Sequence, residues 1–315
     1  MFEKVNELTD ENLRKGLICA ANDRVADSQF SEPLTNFAAG VRSEKYENLL
    51  NFIAPPIRAN RRFEFRKSGK GEFLSDSDDI RAVGGNFKRL EVQGEIVQSK
   101  TLNKGLTIRI DNDERYEGIE EEKTQSLIRR LYRNECIRAV AMLLSVAGNP
   151  TAKSWVTGDN KTQPDADLRE LIDLVGDQIM LDANRLLIGS KAWNTRLGVY
   201  ESSSAPYAGT AANMGAQQLA DKLGLDAVLK SSERIATGSG KSKIVNAAYA
   251  VAFVGQDNPD DLDPSTLKRF WSPCDGGEMF RIYRDEKSKW VDITVEHYSN
   301  IVNTVANGAK AISVS

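Results

Sequence analysis

The chain has 315 residues, 28% charged and 40% apolar, which fits one large or two moderate soluble globular domains and excludes a disordered or membrane-embedded class. Its 42 basic and 45 acidic side chains leave a net charge of −3, so there is no global basic field of the kind that grips nucleic acid by neutralising many phosphates. Cys19, Cys136 and Cys274 are odd in number and far apart, which predicts reduced thiols rather than a disulfide framework or zinc site, and the one histidine, His297, excludes a His-rich metal centre.

The first fifty residues read as an arm with helical pieces. Thr9 can cap a helix ahead of Leu13, Leu17 and Ile18, but the apolar pattern is sparse and predicts little core-forming capacity. The apolar stretch from Gly16 to Ala21 is too short for the core of a signal peptide.

From Ile57 to Ile110 the pattern turns to β. Arg62-Phe63-Glu64-Phe65-Arg66 and Leu106-Thr107-Ile108-Arg109-Ile110 alternate, and Glu91–Val97 holds short strand-like pieces. Between them lie turn formers and charges, Lys67–Gly71 and Ser75–Asp79. This is a long two-stranded excursion with too few apolar residues to bury its own faces, so it is expected to lie on its own domain or on a neighbour.

Residues 118–148 carry no proline or internal glycine, and Leu127, Leu131, Val140 and Leu144 return at near-helical spacing, which predicts one long helix. Glu117, Glu120, Glu121 and Glu122 crowd its start, as the helix dipole favours. Asn149-Pro150 ends it. An amphipathic helix is expected over Asp165–Val175, a buried strand over Asn184–Gly189 and a short helix from Ser190. Tyr200–Met214 reads as an exposed small-residue loop, and Gln217–Leu223 as a helix stopped by Gly224. Strands are expected at Ala227–Lys230 and Ile244–Val254, with a surface loop at Gln256–Pro264. Val291, Ile293 and Val295 mark a half-buried strand whose partner is Met279–Arg284, and Lys310–Ser315 is a further strand.

Chemistry is sparse. Thr237–Ser242 imitates a phosphate-binding loop but has Ile235 where the motif needs glycine, and a strand rather than a helix follows, which predicts a hairpin turn. His297 continues the Val291–Val295 face and reads as a strand-end histidine. Asp257, Asp260, Asp261 and Asp263 lack the glycine and terminal glutamate of a calcium loop. Local charge says more. Arg42, Lys45, Arg58, Arg61, Arg62, Arg66, Lys67 and Lys70 outnumber Glu44, Glu47 and Glu64, which predicts that the β excursion docks on an acidic surface such as the Glu120–Glu122 helix start of a neighbour or the Asp76–Asp79 cluster.

The order arm, β excursion, long helix, α/β insertion and closing strands resembles the tailed-bacteriophage major capsid proteins of the Hong Kong ninety-seven fold. Asn51-Phe52-Ile53-Ala54-Pro55-Pro56-Ile57 resembles the family's entry into its extended loop, and Leu186–Trp193 its strand-turn-Trp segment. Gln217–Leu229 is similar to its helix and following strand, and Tyr283–Lys287 to the turn before its closing strands. The resemblance implies an α+β capsid fold with an N-terminal arm at 1–57, an extended β loop at 58–110, a peripheral domain with a spine helix at 111–162 and 276–315, and an inserted axial α/β domain at 163–275. It implies a structural subunit rather than an enzyme, with no cofactor and no metal, assembling with itself into pentamers and hexamers of an icosahedral shell in the host cytoplasm. Scaffolding, portal or decoration proteins are candidate further partners, packaged double-stranded DNA is touched only non-specifically, and no membrane is involved. An encapsulin-type cargo shell shares the fold and is the alternative; an α/β nucleotide-dependent enzyme is the alternative from another class. The intersubunit contact residues expected on this reading are Arg58, Arg61, Arg62, Arg66, Lys67 and Lys70 on one side and Glu117, Glu120, Glu121 and Glu122 on the other.

Overall fold

A computed structural model describes residues 29–41, 43–67, 80, 95–158, 162–206, 208–237, 240–259, 263–274 and 278–315. Its helices are α1 (Glu32–Gly40), α2 (Glu44–Ile53), α3 (Ile119–Ala147), α4 (Pro164–Ile179), α5 (Ser190–Glu201), α6 (Ala208–Ala212) and α7 (Ala216–Leu223). The strands up to the long helix are β1 (Pro56–Arg58), β2 (Arg62–Lys67), β3 (Glu95–Lys100) and β4 (Leu102–Asp111). Then come β5 (Thr151–Lys153), β6 (Arg185–Gly189), β7 (Ala227–Ser231), β8 (Arg234–Thr237), β9 (Gly240–Lys243) and β10 (Tyr249–Phe253). The last are β11 (Leu267–Ser272), β12 (Phe280–Glu286), β13 (Trp290–Asn303) and β14 (Ala309–Val314). The predicted long helix is present as α3 over 29 residues, with Leu127, Leu131 and Val140 buried.

The chain divides into two compact units, one of Met1–Arg42, Leu102–Leu131 and Ser272–Tyr298, the other of Ser43–Thr101, Tyr132–Trp271 and Ser299–Ser315. In the first unit β12 and β13 pair antiparallel from Phe280↔His297 to Glu286↔Val291, and β4 pairs β13 as well. The alternation read from the sequence holds: Val291, Ile293 and Val295 are buried, while Asp292, Thr294 and Glu296 form a wetter face. On that face Thr107 and Thr294 share a hydroxyl hydrogen bond of 2.8 Å, and Arg109 donates to both carboxylate oxygens of Asp292 at 2.9 and 3.0 Å. Gly105 lets β4 approach, since an added Cβ would stand 2.9 Å from the Val295 carbonyl oxygen. His297 lies within β13 rather than at its end, buried, with its ring edge-on to Phe280.

In the second unit the strand order β5-β14-β10-β6-β7 builds the main sheet. β6 is buried along its whole length, as a central strand covered on both faces must be, and β7 lies parallel to it after a crossover through α5, α6 and α7. Leu168, Leu171 and Val175 of α4 share one core with Leu186, Ile188, Ala250, Ala252, Ile312 and the indoles of Trp155 and Trp193. A side chain at Gly189 is excluded, because its Cβ would fall 2.3 Å from the Asn246 carbonyl oxygen, and the amides of Lys191 and Ala192 both donate to Ala247 O.

Several expectations change. Tyr200–Met214 is no open loop: Tyr200 is buried in the last turn of α5, and Ala208 and Ala211 of α6 are small enough to be buried too. The strand expected from Ile244 begins only at Tyr249, because Asn246 turns the chain, its side chain accepting from the Ala248 amide and its carbonyl from the Tyr249 amide. Residues 44–53 carry real core, with Leu49, Leu50 and Ile53 of α2 essentially inaccessible. In the loop expected to be exposed, Gln256, Asp257 and Asn258 are exposed, but Asp263 is buried against the Lys268 ammonium at 2.9 Å. The expectations at Thr9, Ser75–Asp79, Glu91–Gln93 and Lys70 lie outside the described residues.

Candidate assembly surfaces

The basic excursion is built by strand alternation. β2 and β3 pair antiparallel from Arg62↔Lys100 to Lys67↔Glu95, so Phe63 and Phe65 share one face while Arg62, Glu64 and Arg66 share the other. The apolar face is not bare. Phe63 stacks on Phe270 at 4.3 Å between centroids, and Phe65 and Val302 complete the cluster. Burying the two rings contributes roughly 1.5–3 kcal/mol each, enough to hold the base of a ribbon that could not stand alone. Asn300 adds a polar tie, its amide donating to Ser99 Oγ and Lys100 O.

The outward face is cationic. Arg62 stands opposite Lys100, a like-charge pair that costs stability where it sits. Gln98 donates to Glu64 at 2.9 Å, and Ile96, opposite Arg66, is 58% exposed. Arg58, Arg61 and Arg62 are exposed and Arg66 and Lys67 half-exposed, and among the described residues no carboxylate pairs with Arg58, Arg62, Arg66 or Lys67. The backbone carbonyl of Arg61 accepts from the Thr101 amide, one residue beyond the Arg62↔Lys100 pair.

The acidic start of α3 belongs to the first unit. Gly118, at φ +85°, gives the chain the left-handed residue it needs to enter the helix. Its four carboxylates then separate. Glu120 accepts from Arg284 Nε at 2.9 Å and Nη2 at 3.2 Å, and from Arg115 at 3.1 Å. Both guanidiniums also reach Glu286, at 2.7 and 3.6 Å, so two acids and two bases close a ring. The first hydrogen bond, to Glu120, raises Arg284 above the usual arginine range, and Arg284 in turn lowers Glu286. Glu122 accepts from the Tyr116 hydroxyl at 2.5 Å and so raises that phenol. Glu117 and Glu121 are exposed. Outward negative charge therefore rests on Glu117, Glu121 and Glu122, and Glu120 is spent inside the chain.

Two groups escaped the sequence reading. Asp165, Arg196 and Lys222 meet in the second unit, the first two buried and the lysine reaching in from the surface, with Arg196 donating to Asp165 at 2.6 and 3.1 Å and Lys222 at 2.7 Å. No local pattern marks residues so far apart as partners. The basic run Lys230, Arg234, Lys241 and Lys243 was legible in the same local tally of charge that found the β2 cluster. It flanks the glycine stretch, which the structure makes the connection between antiparallel β8 and β9, with Gly238 and Ser239 outside the described residues. Among the described residues, no group of three or more His, Cys, Asp or Glu side chains is placed to hold a metal, and no helix is long and apolar enough to cross a membrane.

No protein-family model matches the chain, and no curated protein matches it. Solved structures do. A phage-related protein from Bordetella bronchiseptica superposes with a TM-score of 0.63 at 15% identity, covering 90% of this chain and 96% of that one. A virus-like particle from Pyrococcus furiosus reaches 0.51 at 10% identity over 89% and 96%, and the capsid of the cyanophage P-SCSP1u 0.51 at 9% over 84% and 86%. The likeness shows the fold. It is the mixed α+β phage major capsid fold that the sequence resemblance implied.

Proposed function

We propose that the chain is the structural subunit of a phage-type shell, assembling with itself into pentamers and hexamers around double-stranded DNA. The observation that carries this reading is the likeness over nearly the whole of both chains, 90% and 96%, with a phage-related protein, joined by the likeness to a cyanophage capsid. The local physics supports it. Among the described residues no carboxylate pairs with the ribbon cations Arg62, Arg66 and Lys67, while Glu117, Glu121 and Glu122 leave carboxylates exposed. On this reading Arg58, Arg61, Arg62, Arg66, Lys67 and Lys70 of one copy dock on the α3 start of another, and Glu120 supports that surface rather than meeting the neighbour. A net charge of −3 suits a container that must not clamp its contents. The arm at 1–57, extended loop at 58–110, peripheral domain at 111–162 and 276–315 and axial domain at 163–275 are the corresponding functional segments.

The test is electron microscopy and sedimentation of the full chain, with and without a candidate scaffolding protein. Closed particles or capsomers are expected, with nuclease-protected DNA inside particles recovered from phage-producing cells; a strictly monomeric chain overturns the reading, and protein cargo in place of DNA converts it to a cargo shell. The triple variant Arg61→Glu, Arg62→Glu, Arg66→Glu is expected to fold yet fail to assemble.

A further inference from the structure

The second unit carries opposite charges at opposite ends of its sheet. Register fixes which end is which. Gly189 of β6 pairs with Ser231 of β7 and Ile188 with Ala250 of β10, so the connection from β7 to β10, which contains β8 and β9, leaves at the Gly189 end. Arg185 pairs with Ala227 and Phe253, so residues 180–184, 224–226 and 254–259 cluster at the other end.

The Gly189 end is cationic. Lys191, Lys230, Arg234 and Lys241 are exposed, and Lys243 lies half-exposed beside the Ser190 hydroxyl. Within 227–243 the sole carboxylate is Glu233, and it is turned inward, buried, accepting from Ser231 Oγ and the Ser232 amide. The β8–β9 register sets Arg234 directly against Lys243, which costs the ribbon stability and gives it no internal relief.

The Arg185 end is acidic. Asp177, Asp182, Asp226 and Asp257 are exposed there. Asn184 holds Asp226 at 2.6 Å, and Asp257, its side chain 95% exposed, takes Arg185 Nη2 at 2.5 Å. Asp177 stands in the last turn of α4, where the helix dipole disfavours an acid and no basic residue offsets it. Four residue steps of about 3.3 Å separate the two ends of β6, roughly 13 Å, which exceeds the Debye length of about 8 Å at physiological salt. One copy therefore does not neutralise itself along the sheet. The opposite end of a second copy can.

We propose that the β8–β9 ribbon of one copy docks on the Asp182–Asp226–Asp257 end of the same sheet in a second copy. The contact is heterologous, since each copy offers a different surface at each side, and such a contact repeats head to tail until a ring closes. It rests on the shell reading above and gives it a second, independent interface within the α/β unit.

Charge reversal separates the cases. Variant A carries Arg234→Glu and Lys241→Glu; variant B carries Asp182→Lys and Asp226→Lys. Each alone is expected to keep the circular-dichroism spectrum of the parent and to lose at least tenfold in the fraction of chain that sediments as capsomers at low salt. The chain with all four changes restores self-association. An equimolar mixture of A and B restores even-membered rings, because A and B can alternate but neither can follow itself. Wild-type-like assembly of A or B overturns the contact and leaves the shell reading standing, as does failure of both the four-fold variant and the mixture to recover. If A assembles normally but no longer retards duplex DNA, the ribbon is a polyphosphate contact and the proposal falls. A wild-type chain that never associates overturns the shell reading itself.

Discussion

Glu120 receives Arg284 through both Nε and Nη2, at 2.9 and 3.2 Å, which ties the first turn of α3 to β12. Both side chains are partly exposed, 22% and 29%, so solvent screens the pair and its worth is about 1 kcal/mol even with bidentate geometry. Glu120→Gln is expected to lower subunit stability by about that amount in urea titration. It is also expected to leave assembly intact, whereas Glu117→Lys with Glu121→Lys abolishes assembly at little cost in stability. The opposite ranking in sedimentation would show that Glu120 faces the neighbour after all.

Phe63→Ala removes the ring stacked on Phe270 and leaves Phe65 alone against the sheet. Truncating a buried phenylalanine costs about 3–5 kcal/mol in a closed core, and the lower end applies here because the cluster has few members. The loss is local. Hydrogen exchange is expected to speed at the amides of β2 and β3 while those of β6 and β10 keep their protection. Uniform loss across the chain would mean that the ribbon is part of the global folding unit.

Much of this architecture is legible in the residues, for reasons that differ between elements. α3 and β13 announce themselves because each keeps one period over many residues, and β6 because Leu186, Leu187 and Ile188 are apolar without a break. α6 does not, since Ala208 and Ala211 pack by being small, and small residues read equally well as a loop. The helix 44–53 is missed for another reason: Leu49, Leu50 and Ile53 crowd its last turn, so its first half looks solvated. Of the candidate surfaces, charge tallies find the cations and acids, but whether a carboxylate is free depends on partners such as Arg284, far away in sequence. Glu120 and Glu121 are neighbours with different fates for that reason alone.

Burial raises the Cys136 thiol to about 12, with the nearby acids Glu233 and Glu135 adding to it and Arg269 only partly opposing. The Sγ–H donates to the Tyr46 carbonyl and is fully inaccessible. At pH 8 the thiolate fraction is negligible, so a disulfide reagent is expected to leave Cys136 unmodified in the folded subunit and to label it fully in urea. Peptide mapping after short exposure reads this out. Rapid native labelling at Cys136 would mean that α3 opens locally near its middle.

Asp165 tests how far a buried charge group stabilises the α/β unit. Burial by itself raises its pKa, but the hydrogen bonds and charge of Arg196, and then those of Lys222, outweigh that and hold the carboxyl below the ordinary aspartate range. A folded-state pKa depressed below the unfolded value of about 3.9 contributes stability that is fully present above pH 4 and disappears as the pH falls through the folded value. Asp165→Asn leaves the wholly buried Arg196 guanidinium without its counter-ion, a loss of roughly 3 kcal/mol at pH 7. In urea titrations the gap between the parent and Asp165→Asn is expected to be constant from pH 7 to about pH 5 and to narrow below pH 4. Replacing both partners, Asp165→Leu with Arg196→Met, removes two desolvated charges together and is expected to cost less than Asp165→Asn alone. A pH-independent gap, or a double variant weaker than the single, would mean that the pair acts through packing against Trp193 and Tyr200 rather than through charge.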